Sequence, residues 1–171
     1  MRKEVALKLL FELIKNSKRS DRELTKVLKV SQPTITRMRQ RLEKKTIKEY
    51  TAIPNWVELG YELMAFTFMN MGPNVPLSEK EEKIRKAKDW VMKCPNIIFA
   101  SGGDGMGKNT VCISFHKNYT SFAKFIAECH AEWGEYLKDM QFFIVSLKGG
   151  IQLKPFSFRY LEKVEDIQYL T

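Results

Sequence analysis

The chain has 171 residues, 44% of them apolar, with 11 Phe, 6 Tyr and 3 Trp, enough to bury a core and to exclude a generally disordered polymer. Its 29 Lys and Arg against 20 Asp and Glu leave a net charge of +9, which points to an anionic partner such as nucleic acid. The three cysteines, Cys94, Cys112 and Cys129, form no Cys-x-x-Cys pair, so neither a zinc ribbon nor a disulfide framework is expected, and the thiols suit a reducing compartment. The apolar runs Leu63–Met69 and Phe142–Leu147 fall short of the ~18 residues that span a bilayer. Lys3, Glu4, Lys8 and Glu12 break up the N-terminus, so no signal peptide is expected there. The charge is uneven: residues 1–60 hold 15 basic and 7 acidic side chains, the remainder 14 and 13, which predicts a chain in two parts.

In chain order, Arg2–Lys15 carries Ala6, Leu10, Leu13 and Ile14 at helical spacing, with Leu7 and Phe11 widening the apolar stripe. Ser20 and Glu23 have the spacing of a capping box. The helix they open turns Leu24, Val27 and Leu28 to one side and stops near Lys29-Val30. Ser31 reads as the next N-cap, with Pro33 in a first turn where its missing N–H costs nothing. The helix from Gln32 to about Lys45 buries Ile35, Met38 and Leu42. Three short helices with a tight turn between the second and third predict a helix-turn-helix.

The outward face of the third helix carries Thr36, Arg37, Gln40 and Lys44, with Gln32 and Thr34 in its first turn. These side chains suit base edges: Arg pairs with guanine, Gln with adenine, and Thr meets methyls and phosphates. Ser31, Arg19, Arg22, Arg39, Arg41 and Lys48 complete a predicted set of contacts to double-stranded DNA, the charged ones gripping phosphates. After this helix, the alternation of Ile47–Ile53 predicts a short wing or a linking strand.

The stretch from Arg19 to Leu63 resembles the DNA-binding half of the Lrp/AsnC (feast/famine) family of regulators. The resemblance rests on Leu24 through Val30-Ser31, Pro33-Thr34-Ile35, Arg41-Leu42-Glu43, Tyr50-Thr51-Ala52 and Leu59-Gly60-Tyr61. The last two, at this spacing, are the specific ones. The chain departs from the family pattern at Lys29 and Thr46, where the family usually has Gly, and at Thr25, where it has a small residue.

Beyond Gly60, Tyr61–Met71 reads as a strand apolar on both faces, with Leu63, Ala65 and Met69 against Met64, Phe66 and Phe68. Ser78 and Glu81 open a helix expected to turn Ile84, Ala87 and Val91 inward. Ile97–Ser101 and Thr110–His116 read as strands, Phe122 to Trp133 as a helix, and Gln141–Leu147 as a fourth strand. The order βαββαβ predicts a ferredoxin-like sheet with helices on one face. Its other face calls for cover, and a homodimer packed sheet on sheet would supply it. The family resemblance implies the same, with higher assemblies such as an octamer.

The expected fold class is therefore α+β: a helix-turn-helix, with or without a wing, at 1–54, a linker at 55–60, a ferredoxin-like domain at 61–150, and a C-terminal extension at 151–171. Alternation of Phe156, Phe158 and Tyr160 predicts an edge strand in that extension, then a short helix.

Gly102–Asn109 reads GGDGMGKN, close to a phosphate-binding loop. Asn109 stands where Mg²⁺ binding needs Ser or Thr, and a strand follows where a helix is needed, so a β-hairpin is expected instead. In the resembled family a Gly-x-x-Asp loop lies near an amino-acid effector site, which implies Gly102 and either Asp104 or Asn109 as effector contacts. His116 and His130 lack metal-ligand spacing, and no hydrolase or zinc-protease motif is present; no metal or cofactor is expected. The sequence thus predicts a cytoplasmic, nucleoid-associated transcriptional regulator, dimeric or larger, that is not an enzyme and has no membrane partner. A weakly specific architectural DNA-binding protein is the alternative, with a tetrapyrrole-processing enzyme on the same scaffold behind it.

Overall fold

A computed structural model describes residues 2–72 and 77–163. Three helices form first: α1 (Arg2–Lys15), α2 (Asp21–Leu28) and α3 (Gln32–Lys45). Leu9, Leu13, Leu24, Ile35 and Leu42 are buried together at their centre, ringed by Leu10, Leu28, Val30, Met38 and Ile47. Val27 faces outward instead. The capping box at α2 is formed in full, with the Glu23 carboxylate accepting from the Ser20 N–H at 2.7 Å and the Ser20 hydroxyl accepting from the Glu23 N–H. α2 stops because Lys29 adopts the left-handed conformation, φ 54° and ψ 41°, so one of the two family glycine positions does hold left-handed backbone. Thr46, at φ −123°, does not.

No wing forms. Ile47–Ile53 is irregular backbone, and Ile47 packs into the helical core instead of alternating along a strand. The edge strand expected around Phe156–Tyr160 is also absent. Phe156 and Phe158 meet edge to face at 5.5 Å, and Phe158–Lys163 winds into a 3₁₀ helix that packs on α1. A period of two matches a 3₁₀ helix as poorly as an α-helix, but Pro155 denies a strand one donor and Phe156 and Phe158 pack on each other locally. Residues beyond 163 lie outside the described region. Among the described residues, the compact unit thus formed takes in 2–53 and 153–163.

Pro54–Gln152 forms the second unit. It contains β1 (Leu63–Met71), α4 (Leu77–Lys93), β2 (Ile97–Gly105), β3 (Lys108–His116), α5 (Tyr119–Trp133) and β4 (Leu137–Ser146). The strands pair antiparallel in the order β2-β3-β1-β4, the ferredoxin-like arrangement. Thr67 lies between Cys112 and Phe142 across the sheet. That register puts Ala65, Thr67, Cys112, Ser114 and His116 on one buried face. Phe122, Phe125 and Cys129 of α5 cover it, and Trp90 of α4 stacks on Phe125.

Ile84, expected to face inward from α4, is 59% exposed. The helix is turned so that Ala87, Trp90 and Val91 are sheltered, because the bulky Trp90 takes the place against Phe125 and Trp133. The cap expected at Ser78 lies outside the described side chains.

The opposite sheet face is apolar and largely uncovered. Met64, Phe66 and Phe68 lie beside Val111, Ile113, Phe143 and Val145, with Phe99 at 49% and Phe143 at 64% exposure. Residues 55–60, expected as a linker, instead fold as a turn on one end of this face, where Trp56 stacks on Phe115 at 4.0 Å and Tyr61 meets both rings edge-on.

Candidate nucleic-acid interface

The placement of α3 starts from a half-buried charge network. Glu12, on α1 and nearly buried, pairs with Arg19 and with Lys15, the latter at 2.8 Å. Asp21, the first residue of α2, pairs with Arg39 Nε of α3 at 2.7 Å and accepts from the Thr36 hydroxyl at 2.5 Å. Arg39 also donates to the Arg19 carbonyl at 2.7 Å. One acid near the start of α2 thus ties down two positions of α3, and Arg39 reaches back to the connection that precedes α2. Charge-assisted bonds of this kind fix orientation as well as adding energy.

Three residues expected to contact DNA are consumed by this network. Thr36 spends its hydroxyl on Asp21 and on the Gln32 carbonyl, Arg39 is only 18% exposed, and Arg19 is held by Glu12. At 100° per residue Arg39 stands about 40° from Ile35, so its inward position follows from the same wheel that places the core. The Ser31 hydroxyl, expected to cap an N–H of α3, instead shares a bond of 2.9 Å with the Thr34 hydroxyl.

The rest of the predicted set remains at the surface. Ser31, Gln32, Arg37, Gln40, Arg41 and Lys44 are exposed on α3 and its cap, and Arg22 and Lys48 are exposed outside it. Thr34 is half-buried. Arg37, Gln40, Arg41 and Lys44 line one shallow recess together with Lys45. Lys45 was not among the sequence-predicted contacts, although its place one turn beyond Arg41 would have suggested it. Among the described residues, the one side-chain hydrogen bond on this group is that of 3.3 Å from Arg37 Nε to the Pro33 carbonyl, and its four cations have no ion pair. Tyr50 donates to the one acid on this helix, Glu43, at 3.0 Å, anchoring the segment after α3. Burial and the nearby Glu43 carboxylate raise the Tyr50 pKa, so the phenol stays protonated.

The second candidate site is the β2–β3 hairpin. Gly102 and Asp104 lie within β2, exposed, and the connection narrows to Met106-Gly107, both with positive φ (54° and 67°), as a two-residue hairpin of type I′ requires. A strand follows, so no phosphate loop is built. Asn109, expected to face an effector, has its amide committed: Nδ2 donates to the Met71 carbonyl at 2.7 Å and Oδ1 accepts from the Met71 N–H at 2.9 Å. It extends the β1–β3 pairing by one side-chain step. Lys108 beside it is buried and paired with Asp139 at 2.8 Å.

Among the described residues, no cluster of His, Cys, Asp and Glu could hold a metal. His116 is buried between Phe122 and Phe125 and bonded to the Ser114 hydroxyl at 2.8 Å. Burial raises the Cys112 thiol to about 11 and the Cys129 thiol to about 12, which leaves both unreactive. Among the described residues, no helix is long and apolar enough to cross a membrane.

No protein-family model and no curated protein matches the chain. Solved structures do match. An AsnC family transcriptional regulator from Agrobacterium tumefaciens aligns with a TM-score of 0.75 over 90% of this chain and 92% of its own, at 15% identity. The chain has the fold of an Lrp/AsnC-type regulator. A transcriptional regulator from Neisseria meningitidis, solved with L-Met, aligns at 0.74 over 90% and 92%, at 17% identity. LrpC of B. subtilis aligns at 0.69 over 88% and 96%, at 21% identity. In each pair the Lrp/AsnC-type fold is shared along most of both chains.

Proposed function

We propose that the chain is a sequence-specific, DNA-binding transcriptional regulator of the Lrp/AsnC type that works as a homodimer or a larger assembly. The observation that carries this reading is the surface of α3, where Arg37, Arg41, Lys44 and Lys45 surround Gln40 without an ion pair among the described residues. Anionic backbone would neutralise these cations, and Gln40 and Arg37 have the donors to read base edges. Gln32, Ser31 and Thr34 sit at the N-terminal end of the same helix, and Arg22 and Lys48 reach phosphates from outside it. Thr36, Arg39 and Arg19 are left out of the interface because their polar atoms are already used.

Self-association supplies the two-fold symmetry that places two recognition helices on duplex DNA, about one helical turn or a multiple apart. The open sheet face, with Phe66, Phe68, Ile113 and Phe143, is the surface for it. Control by a small ligand such as an amino acid is a further part of this reading. It rests on the exposed Gly102 and Asp104 and on the L-Met bound by the Neisseria regulator; Asn109 is not part of it. The fold neighbours are described as regulators, which supports a non-enzymatic role in the cytoplasm, at the nucleoid.

Selection from random duplex DNA, repeated with and without a pool of amino acids, tests the reading. A half-site consensus with dyad spacing is the expected result. Binding without any consensus would replace it with the architectural alternative, and no binding would remove DNA altogether. A consensus or affinity indifferent to every amino acid would remove the ligand.

A further inference from the structure

α1 is apolar over more of its circumference than one core requires. Leu9 and Leu13 fill the helical core. Leu7, Phe11 and Ile14 project about 100° to 160° away from them on the helix wheel, beyond the part of α1 that faces this core. Yet none of the three is exposed. The element packed on α1 besides α2 and α3 is the 3₁₀ helix Phe158–Lys163, which belongs to the same compact unit although about a hundred residues separate it from Ile53.

The segment leading to it is built to leave the sheet and to hold a shape. Gly149, at φ 70°, and Gly150, where a Cβ would strike the Ser146 carbonyl, turn the chain at the end of β4. The turn is pinned by the Ser146 hydroxyl donating to the Lys148 carbonyl at 2.6 Å and by a Lys148–Glu62 ion pair of 2.7 Å. Further on, the half-buried Tyr160 ring carries Lys154 Nζ at 4.2 Å and the Arg159 guanidinium at 5.3 Å. The Phe156–Phe158 contact braces the bend between them.

We infer that the 3₁₀ helix Phe158–Lys163 is a clasp on α1: it covers the Leu7, Phe11 and Ile14 stripe and so keeps that stripe from pairing with a second copy of the chain. The helix-turn-helix unit is thereby closed by a segment from the far end of the sequence. Release of the clasp exposes a three-residue apolar ridge at i, i+4 and i+7, the spacing by which two helices pack together. This inference is independent of whether α3 binds DNA.

A chain ended after Gln152 and a full-length Phe11→Lys variant test it. In the shortened chain, amide exchange in α1 is expected to quicken at least tenfold while β1 and β3 keep their protection. Sedimentation should show association beyond that of the full chain, and Phe11→Lys introduced into the shortened chain should reverse it. In the full-length chain, Phe11→Lys should loosen the clasp and speed trypsin cleavage after Arg159. Unchanged α1 exchange in the shortened chain would overturn the inference. So would association that Phe11→Lys leaves intact, or cleavage after Arg159 that is no faster in full-length Phe11→Lys; this last arm holds even where the shortened chain does not fold.

Discussion

Arg37 and Arg39 are two residues apart on one helix, and their environments assign them opposite work. Arg37 is exposed in the recess of α3, while Arg39 is paired with Asp21 at 18% exposure. Arg37→Ala is therefore expected to weaken binding to a selected duplex by about 1–3 kcal/mol and leave thermal unfolding unchanged. Arg39→Ala should do the reverse, lowering stability by about 1–2 kcal/mol because the half-buried Asp21 loses its cation. Gel shifts paired with thermal melts separate the two, and a stability loss for Arg37→Ala would place it in the fold. Sequence alone supplied the residue types on α3 but not their partners. Asp21 lies 15 residues from Thr36, and only the packing of α2 against α3 brings them together. His116 titrates with a sign that follows from its burial among Phe122 and Phe125, which lowers its pKa below the usual 6.5. The unfolded chain then binds a proton that the folded one refuses. Stability should hold above pH 6.5 and fall as the pH drops below it, levelling off below the folded-state pKa. Comparison of urea unfolding at pH 7.5 and 5.5 checks this against His116→Gln, which should lose part of the difference.

At the scale of elements, the turns show where local sequence and fold disagree. Lys29 sits in left-handed backbone at the end of α2, a conformation that strains any residue with a Cβ. Lys29→Gly is expected to stabilise the protein by about 0.5–1 kcal/mol, the relief of strain exceeding the added chain entropy. Chemical denaturation reads it, and a loss of stability would mean that the Lys29 side chain contributes more than its backbone costs. Helices announced themselves well: Ser20 with Glu23 marks the start of α2, and Pro33 the start of α3. Alternation was the weaker signal. It found β1, β3 and the centre of β4, where cross-strand partners exist. It failed at Ile47–Ile53 and Phe156–Tyr160, where the same pattern has no strand to pair with. Period two describes which side of a surface a residue faces; it does not create the neighbouring strand that makes the surface.

At the scale of the whole molecule, the proposed function makes one design of the division of charge and the open sheet face. The basic excess lies in residues 1–60, and the sheet unit, near neutral, presents Phe66, Phe68, Ile113 and Phe143 without cover from its own helices. A duplex holding two half-sites gains little from two independent helix-turn-helix units. It gains much from two that are joined, because the second contact is then made at high effective concentration. Phe143, the most exposed of these rings at 64%, is the position at which to test the proposed joint. Phe143→Lys places a charge on the apolar face without touching the buried one beneath α5, so the monomer should fold with its β1–β3 amides still protected. Sedimentation equilibrium should report half the native mass. Affinity for a two-half-site duplex should fall about 100-fold, while affinity for a single half-site should stay within twofold. A variant that remains dimeric with full affinity would move the self-association surface off this face. A variant that is monomeric yet binds the double site undiminished would mean that α3 recognises DNA without a partner.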